Sequence, residues 1–249
     1  MKVIDVYNAI NKICDFKSAY PWDNVGLMCG DLNDEVTSIV VTLDADLDAL
    51  GCALRCGANT VVSHHPLVYD ALKSVTPQNA VYHYIKNGVN VISAHTCLDA
   101  SDGGVSDTLA KACGLKNIQK ADLDGVLLLR VGDSDISSPD EFIKHVCASL
   151  PSDRCDAVIS GPVKRVVCGG GSGGAVPYLA KELGIDTCVT GECKHSVFVA
   201  AKNLGINLFS FGHFETENPV VKVLAAGLEK ELNGVKITAF CDNNPVSRR

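Results

Sequence analysis

Apolar and polar positions along this chain fall into two alternating rhythms. Short β-branched runs bounded by turn residues read as strands at 36–41, 60–63, 89–93, 127–131, 163–167 and 187–190. Between them lie helical stretches closed by glycine. Asp44 is expected to cap a helix that runs through Cys56 to Gly57, a helix near 79–86 stops at Gly88, and others end at Gly114 and Gly184. Ser138-Pro139-Asp140-Glu141 carries the N-cap, the proline and the early acids of one more helix start. Strand and helix in alternation predict an α/β fold whose sheets are largely parallel or mixed and flanked by helices.

The rhythm repeats. The course of 36–63 returns over 163–190, and Lys86-Asn87-Gly88-Val89-Asn90-Val91-Ile92-Ser93-Ala94-His95 is echoed by Lys202-Asn203-Leu204-Gly205-Ile206-Asn207-Leu208-Phe209-Ser210-Phe211-Gly212-His213. Both copies end a strand on a histidine. Two pseudo-equivalent α/β lobes are therefore expected. The first spans 1–122 and is open to completion by the C-terminal strand 235–249, and the second spans 123–234. Their strand ends are expected to face a shared crevice, where open α/β sheets bind ligands.

Composition narrows the class. The 249 residues are 47% hydrophobic, with no apolar stretch long enough to span a bilayer. The N-terminus lacks the basic and apolar regions of a secretory signal, so a cytoplasmic location without membrane attachment is expected. Basic residues number 22 against 29 acidic, a net charge of −7, and no dense Lys/Arg cluster would repay phosphate contacts. General nucleic-acid binding is not expected. The 12 cysteines are scattered without a CxxC pair and read as reduced, buried thiols.

Candidate chemistry gathers at strand ends. His64 and His65 stand side by side where a strand meets Pro66, and His95, His195 and His213 also fall at strand ends or in the following turns. Asp99 lies four residues after His95, and Glu217 four after His213. Asn218-Pro219 marks a helix start, which places the Glu217 carboxylate near the positive end of a helix dipole. Imidazole with carboxylate suits Zn, Fe(II) or Mn(II), and the ligand count suits two ions about 3.5–4 Å apart that share a carboxylate. The glycine-rich stretch 168–174 lacks the Lys-Ser/Thr ending of a P-loop, so a tight turn is the expected role, with a phosphate cradle as the alternative.

These residues also carry a resemblance. Asp23-Asn24-Val25-Gly26-Leu27, Ser63-His64-His65-Pro66-Leu67, His95-Thr96-Cys97-Leu98-Asp99, Gly103-Gly104-Val105-Ser106-Asp107, Gly169-Gly170-Gly171-Ser172-Gly173, Thr190-Gly191-Glu192 and Gly212-His213-Phe214-Glu215-Thr216-Glu217 appear in the order seen in the GTP cyclohydrolase I type 2 homologues. That group is also called NGG-interacting-factor-3-like or YbgI-like, and the similarity covers nearly the whole chain. It implies a toroidal homohexamer with a dinuclear metal centre. By the same resemblance, His64 and Asp99 bind one divalent ion, His65 and His213 the other, and Glu217 bridges them. His95 and His195 match positions beside the ligands, where they orient groups or carry protons. Cys97 departs from the Asn common there, and a buried, inert thiol is expected. The expected function is metal-dependent hydrolysis of a small, nucleotide-like substrate, with a metal-holding scaffold or a regulatory, partner-binding protein as the alternatives.

Overall fold

In the computed structural model, which describes residues 1–150, 152–242 and 244–246, the chain divides into two units: Met1–Ser101 with Val220–Arg249, and Asp102–Pro219. Elements follow in the order α1 (Val3–Ile13), β1 (Gly26–Cys29), β2 (Ser38–Thr42), α2 (Leu47–Cys56), β3 (Thr60–Ser63), α3 (Ala80–Lys86), β4 (Asn90–Ser93) and α4 (Thr96–Ala100). The second unit contributes α5 (Val105–Ala112), β5 (Lys116–Leu123), β6 (Val126–Asp133), α6 (Pro139–Ser149), β7 (Asp156–Val158), β8 (Arg165–Cys168), α7 (Val176–Glu182), β9 (Thr187–Thr190), α8 (His195–Leu204), β10 (Asn207–Ser210) and α9 (His213–Glu217). The chain then returns to the first unit through α10 (Pro219–Glu231) and β11 (Lys236–Phe240).

The first unit's sheet has the order β1-β4-β3-β2-β11, with β1 antiparallel to β4 and the other neighbours parallel. Every residue of β2, β3 and β4 is buried, the pattern of parallel strands covered on both faces. Ile39, Val40 and Val41 are fully inaccessible, and each such side chain contributes roughly 1.5–3 kcal/mol by leaving water. β11 pairs with β2 in parallel, so the C-terminal strand extends this sheet.

The second sheet is mixed, with the order β5-β6-β8-β9-β10-β7 and parallel pairing only at β8-β9 and β9-β10. β5 and β6 form an antiparallel hairpin across Asp124-Gly125, both at positive φ (51° and 86°), as a type I′ turn requires. The lobe boundary expected at 122/123 falls inside this hairpin, and the two units part at Ser101/Asp102.

The two sheets share a four-strand frame: β1-β4-β3-β2 in one, β7-β10-β9-β8 in the other, each with one antiparallel edge. A buried asparagine opens the strand beside that edge in both. Asn90 lies opposite Thr60, and its Oδ1 accepts the Asp31 amide at 2.8 Å. Asn207 lies opposite Thr187 and accepts the Ser160 amide at 2.7 Å. Each amide side chain thus ties the segment that leaves the edge strand to the sheet.

One cap differs from expectation. Asp46, not Asp44, caps α2, accepting the Ala49 amide at 2.8 Å, and Gly57 closes the helix in the left-handed conformation at φ 66°. The reason lies in the site, which engages the Asp44 carboxylate elsewhere. No helix among the described residues is long and apolar enough to cross a membrane.

Candidate metal centre

In the first unit the parallel ladder continues past the ends of β2 and β3. The His64 and His65 amides donate to Thr42 and Leu43 carbonyls at 3.1 and 2.9 Å, which fixes the backbone where two adjacent imidazoles leave the sheet. Ser63 Oγ braces this turn, lying 2.7 Å from the His65 carbonyl and 2.8 Å from Ser93 Oγ.

Each imidazole is then locked through Nδ1. His64, 1% exposed, donates to the Ala94 carbonyl at 3.0 Å. His65 Nδ1 lies 2.8 Å from Asp44 Oδ1, and His95 Nδ1 lies 2.9 Å from Asp23 Oδ1. Carbonyl and carboxylate oxygens only accept, so Nδ1 carries a proton and Nε2 is the nitrogen through which each ring would bind a metal. Ligand atoms of His64, His65 and His95 all lie within 4.8 Å of one another.

Asp99, on α4, brings Oδ1 to 3.6 Å from His64 Nε2. That spacing is long for a hydrogen bond but near the ~3.3 Å separating two ligands of a tetrahedral ion with bonds of about 2.0–2.1 Å.

The second unit repeats the device with other residues. Beyond β10, Gly212 turns at φ 107° into the short helix α9, whose first residue is His213 and whose last is Glu217. His213 Nδ1 lies 3.0 Å from Glu192 Oε1 and its Nε2 lies 3.0 Å from Glu217 Oε2. A lone pair cannot face a carboxylate this closely, so a proton or a metal cation belongs between Nε2 and the buried Glu217. The glycine-rich turn is shaped by this pair. A Cβ on Gly171, which has φ 62°, would collide with the Glu217 carboxylate and lie 3.2 Å from His213 Nε2. Gly170 meets the Glu217 stem in the same way. Backbone is the only thing that fits there.

The donor chemistry is nitrogen and oxygen throughout, and these groups suit a divalent ion. Sulfur is kept out. Cys97 is buried with its thiol 3.9 Å from Cys14 Sγ, and contact with Cys14, followed by burial, pushes it far above the ordinary thiol range. All twelve cysteines are free thiols. His195 opens α8 as an exposed residue and belongs to none of the metal-competent groups among the described residues.

Three carboxylates of the site have no histidine-holding role in the sequence pattern, where Asp44 reads as a helix cap and Asp23 and Glu192 stand in motifs without an assigned part. Asp23 is the most tightly held. Burial raises its pKa, but hydrogen bonds from His95 and from Thr96 Oγ1 and N (2.5 and 3.0 Å) outweigh that and bring it to about 2. Asp44 leaves the end of β2 beside His65, and Glu192 follows β9. Their signal is positional, since each occupies the end of a strand next to one that carries or precedes a histidine.

The chain is similar to known proteins over nearly its whole length. The family described as Duf34/NIF3 (NGG1p interacting factor 3) matches residues 1–245. The chain is 29% identical over 247 residues to the GTP cyclohydrolase 1 type 2 homolog of Clostridium perfringens, covering 94% of this chain and 93% of that protein. It is 30% identical over 246 residues to the protein of the same name from Lactococcus lactis, covering 95% of each. Among solved structures, the Staphylococcus aureus hypothetical protein SA1388 superimposes with a TM-score of 0.89 at 26% identity, covering 100% of this chain and 99% of that one.

Proposed function

Because the chain belongs to the Duf34/NIF3 family, we propose that it is a metal-dependent hydrolase of a small, nucleotide-like substrate, using a pair of divalent ions of zinc, iron or manganese. In this reading His64 and Asp99 would hold one ion and His65 and His213 the other, with Glu217 as the ligand they would share. The observation that carries it is the common setting of the imidazoles of His64, His65, His95 and His213, each held through Nδ1 so that Nε2 is the nitrogen turned to the ligand.

Bound ions would supply Lewis acidity, bringing the pKa of a coordinated water near neutrality. The chain's own groups do the rest. Asp44 and Glu192 fix the rings of His65 and His213. His95 Nε2 is the group placed to carry a proton, with the Asp23 carboxylate at Nδ1 orienting the ring. His195, exposed at the start of α8, is the second proton carrier in this scheme. The name of the clostridial and lactococcal relatives directs the substrate search to guanine nucleotides, and the family resemblance favours a toroidal homohexamer in solution.

Elemental analysis of the purified protein, followed by a screen of nucleotides and phosphoesters, tests the reading against Glu217→Ala. The expected result is metal and turnover in the native chain and loss of both in the variant. Turnover undiminished in a metal-free variant rejects the mechanism. Bound metal with no turnover on any substrate favours a scaffold instead.

A further inference from the structure

An aromatic surface leads away from the imidazoles of the first unit. Tyr20 and Trp22, separated by Pro21 in a turn closed by the Asp23 amide on the Tyr20 carbonyl (2.9 Å), stack at 5.3 Å with 14° between their planes. Trp22 tilts against Tyr69 at 6.3 Å, and Tyr69 stands edge-on to His95 at 5.7 Å. His95 in turn lies 5.3 Å from His64. The rings therefore form one path from solvent to a candidate ligand.

This surface is not core. Trp22 is 61% exposed and Tyr69 55%, whereas large aromatic rings ordinarily bury most of their area. Nor is it loosely placed. Asn24 Nδ2 donates to the Val68 carbonyl at 2.6 Å, pinning the segment that carries Tyr69 against the turn that carries Trp22, while the neighbouring Asp23 holds His95. The Asp-Asn pair thus sets both the platform and the histidine beside it. Tyr69 lies in the stretch 66–79, which has no helix or strand, and irregular loops of this length are functional elements or linkers.

We propose that Trp22 and Tyr69 form a stacking platform for a planar heteroaromatic ring of the substrate, placing the rest of that molecule against His95 and His64. The inference names the substrate class of the metal site and so rests on the reading given above. A stacked ring fits better than a second copy of the chain, because the platform ends edge-on at an imidazole rather than continuing as an apolar face. Stacking is tolerant of ring identity and worth a large factor in affinity.

Trp22 is the single tryptophan of the chain, so its fluorescence reports the platform alone. The protein is titrated with GMP, AMP, CMP and nicotinamide mononucleotide, with ribose 5-phosphate as the ringless probe. At least one ring-bearing probe is expected to change the emission saturably, and ribose 5-phosphate is not. Tyr69→Ala should weaken that binding by about 5- to 150-fold, with Tyr69→Phe within about threefold of the native chain and metal content unchanged in both. No saturable change with any ring, an equal response to ribose 5-phosphate, or native affinity in Tyr69→Ala overturns the proposal. So does a changed sedimentation coefficient in Tyr69→Ala with ring binding intact, which would assign the surface to contact between copies. Ring binding by protein that holds no metal rejects the hydrolase reading and leaves the platform, and full metal content with no ring binding does the reverse.

Discussion

At the scale of single residues, what decides the site is which oxygen holds each Nδ1. Asp23 has a measurable consequence. Its folded pKa, about 2, lies below the ordinary 3.8, so it adds stability above the ordinary value that is lost as pH falls through about 2. The contribution is on the order of 2 kcal/mol. Urea unfolding of the native chain and Asp23→Asn should therefore differ by about that amount at pH 5, with the gap closing toward pH 2. A gap that does not change with pH would mean the carboxylate is not ionised in the folded state. In the proposed reading Asp44 bears on metal affinity rather than on stability. Asp44→Asn leaves the cap of α2 to Asp46 but loosens the His65 ring, and metal affinity read by chelator competition should fall about 10- to 100-fold. The roles of these carboxylates were hidden in the sequence because their partners are remote. Asp23 is 72 residues from His95, and Asp44 and Glu192 are each 21 residues from the histidine they hold. The histidines themselves were legible, since a strand end is a local signal.

At the scale of elements, local chemistry again separated what could be read from what could not. β2, β3, β4, β8, β9 and β10 are short, mostly buried runs with apolar centres, and the helix stop at Gly57 is a left-handed cap that a glycine announces. β5 gave no such signal, because 116–123 is mostly exposed, and its Asp-Gly turn resembles a linker until β6 is seen to pair back across it. The glycine-rich turn after β8 has a use that only contacts show, as a bed for Glu217 and His213. Gly171→Ala should strain a backbone at φ 62° and press on that carboxylate. Together these predict a destabilisation of about 2–4 kcal/mol in urea melts and loss of bound metal by elemental analysis. A variant that keeps its metal would show that the turn yields.

At the scale of the whole molecule, two sheets share a frame and differ at their strand ends. After β3 come His64 and His65, and at the matching point after β9 come Gly191 and Glu192. Paired strands and buried asparagines are preserved while the chemistry at their tips diverges. Metal that binds only the folded chain stabilises it by about 2.7 kcal/mol at a hundredfold excess over Kd. For a chain of this size, that is roughly 5–10 °C in Tm. Calorimetry with and without a chelator should show this drop in the native protein and little of it in His64→Ala. An unchanged Tm on chelation would mean that the folded chain holds no such ion. The locks on the three imidazoles of the first unit add one more consequence. Since Ala94, Asp44 and Asp23 fix those rings as the polypeptide folds, their rotational freedom is already gone when a cation arrives, and capture resembles that of a rigid macrocycle more than that of a loose chelating arm.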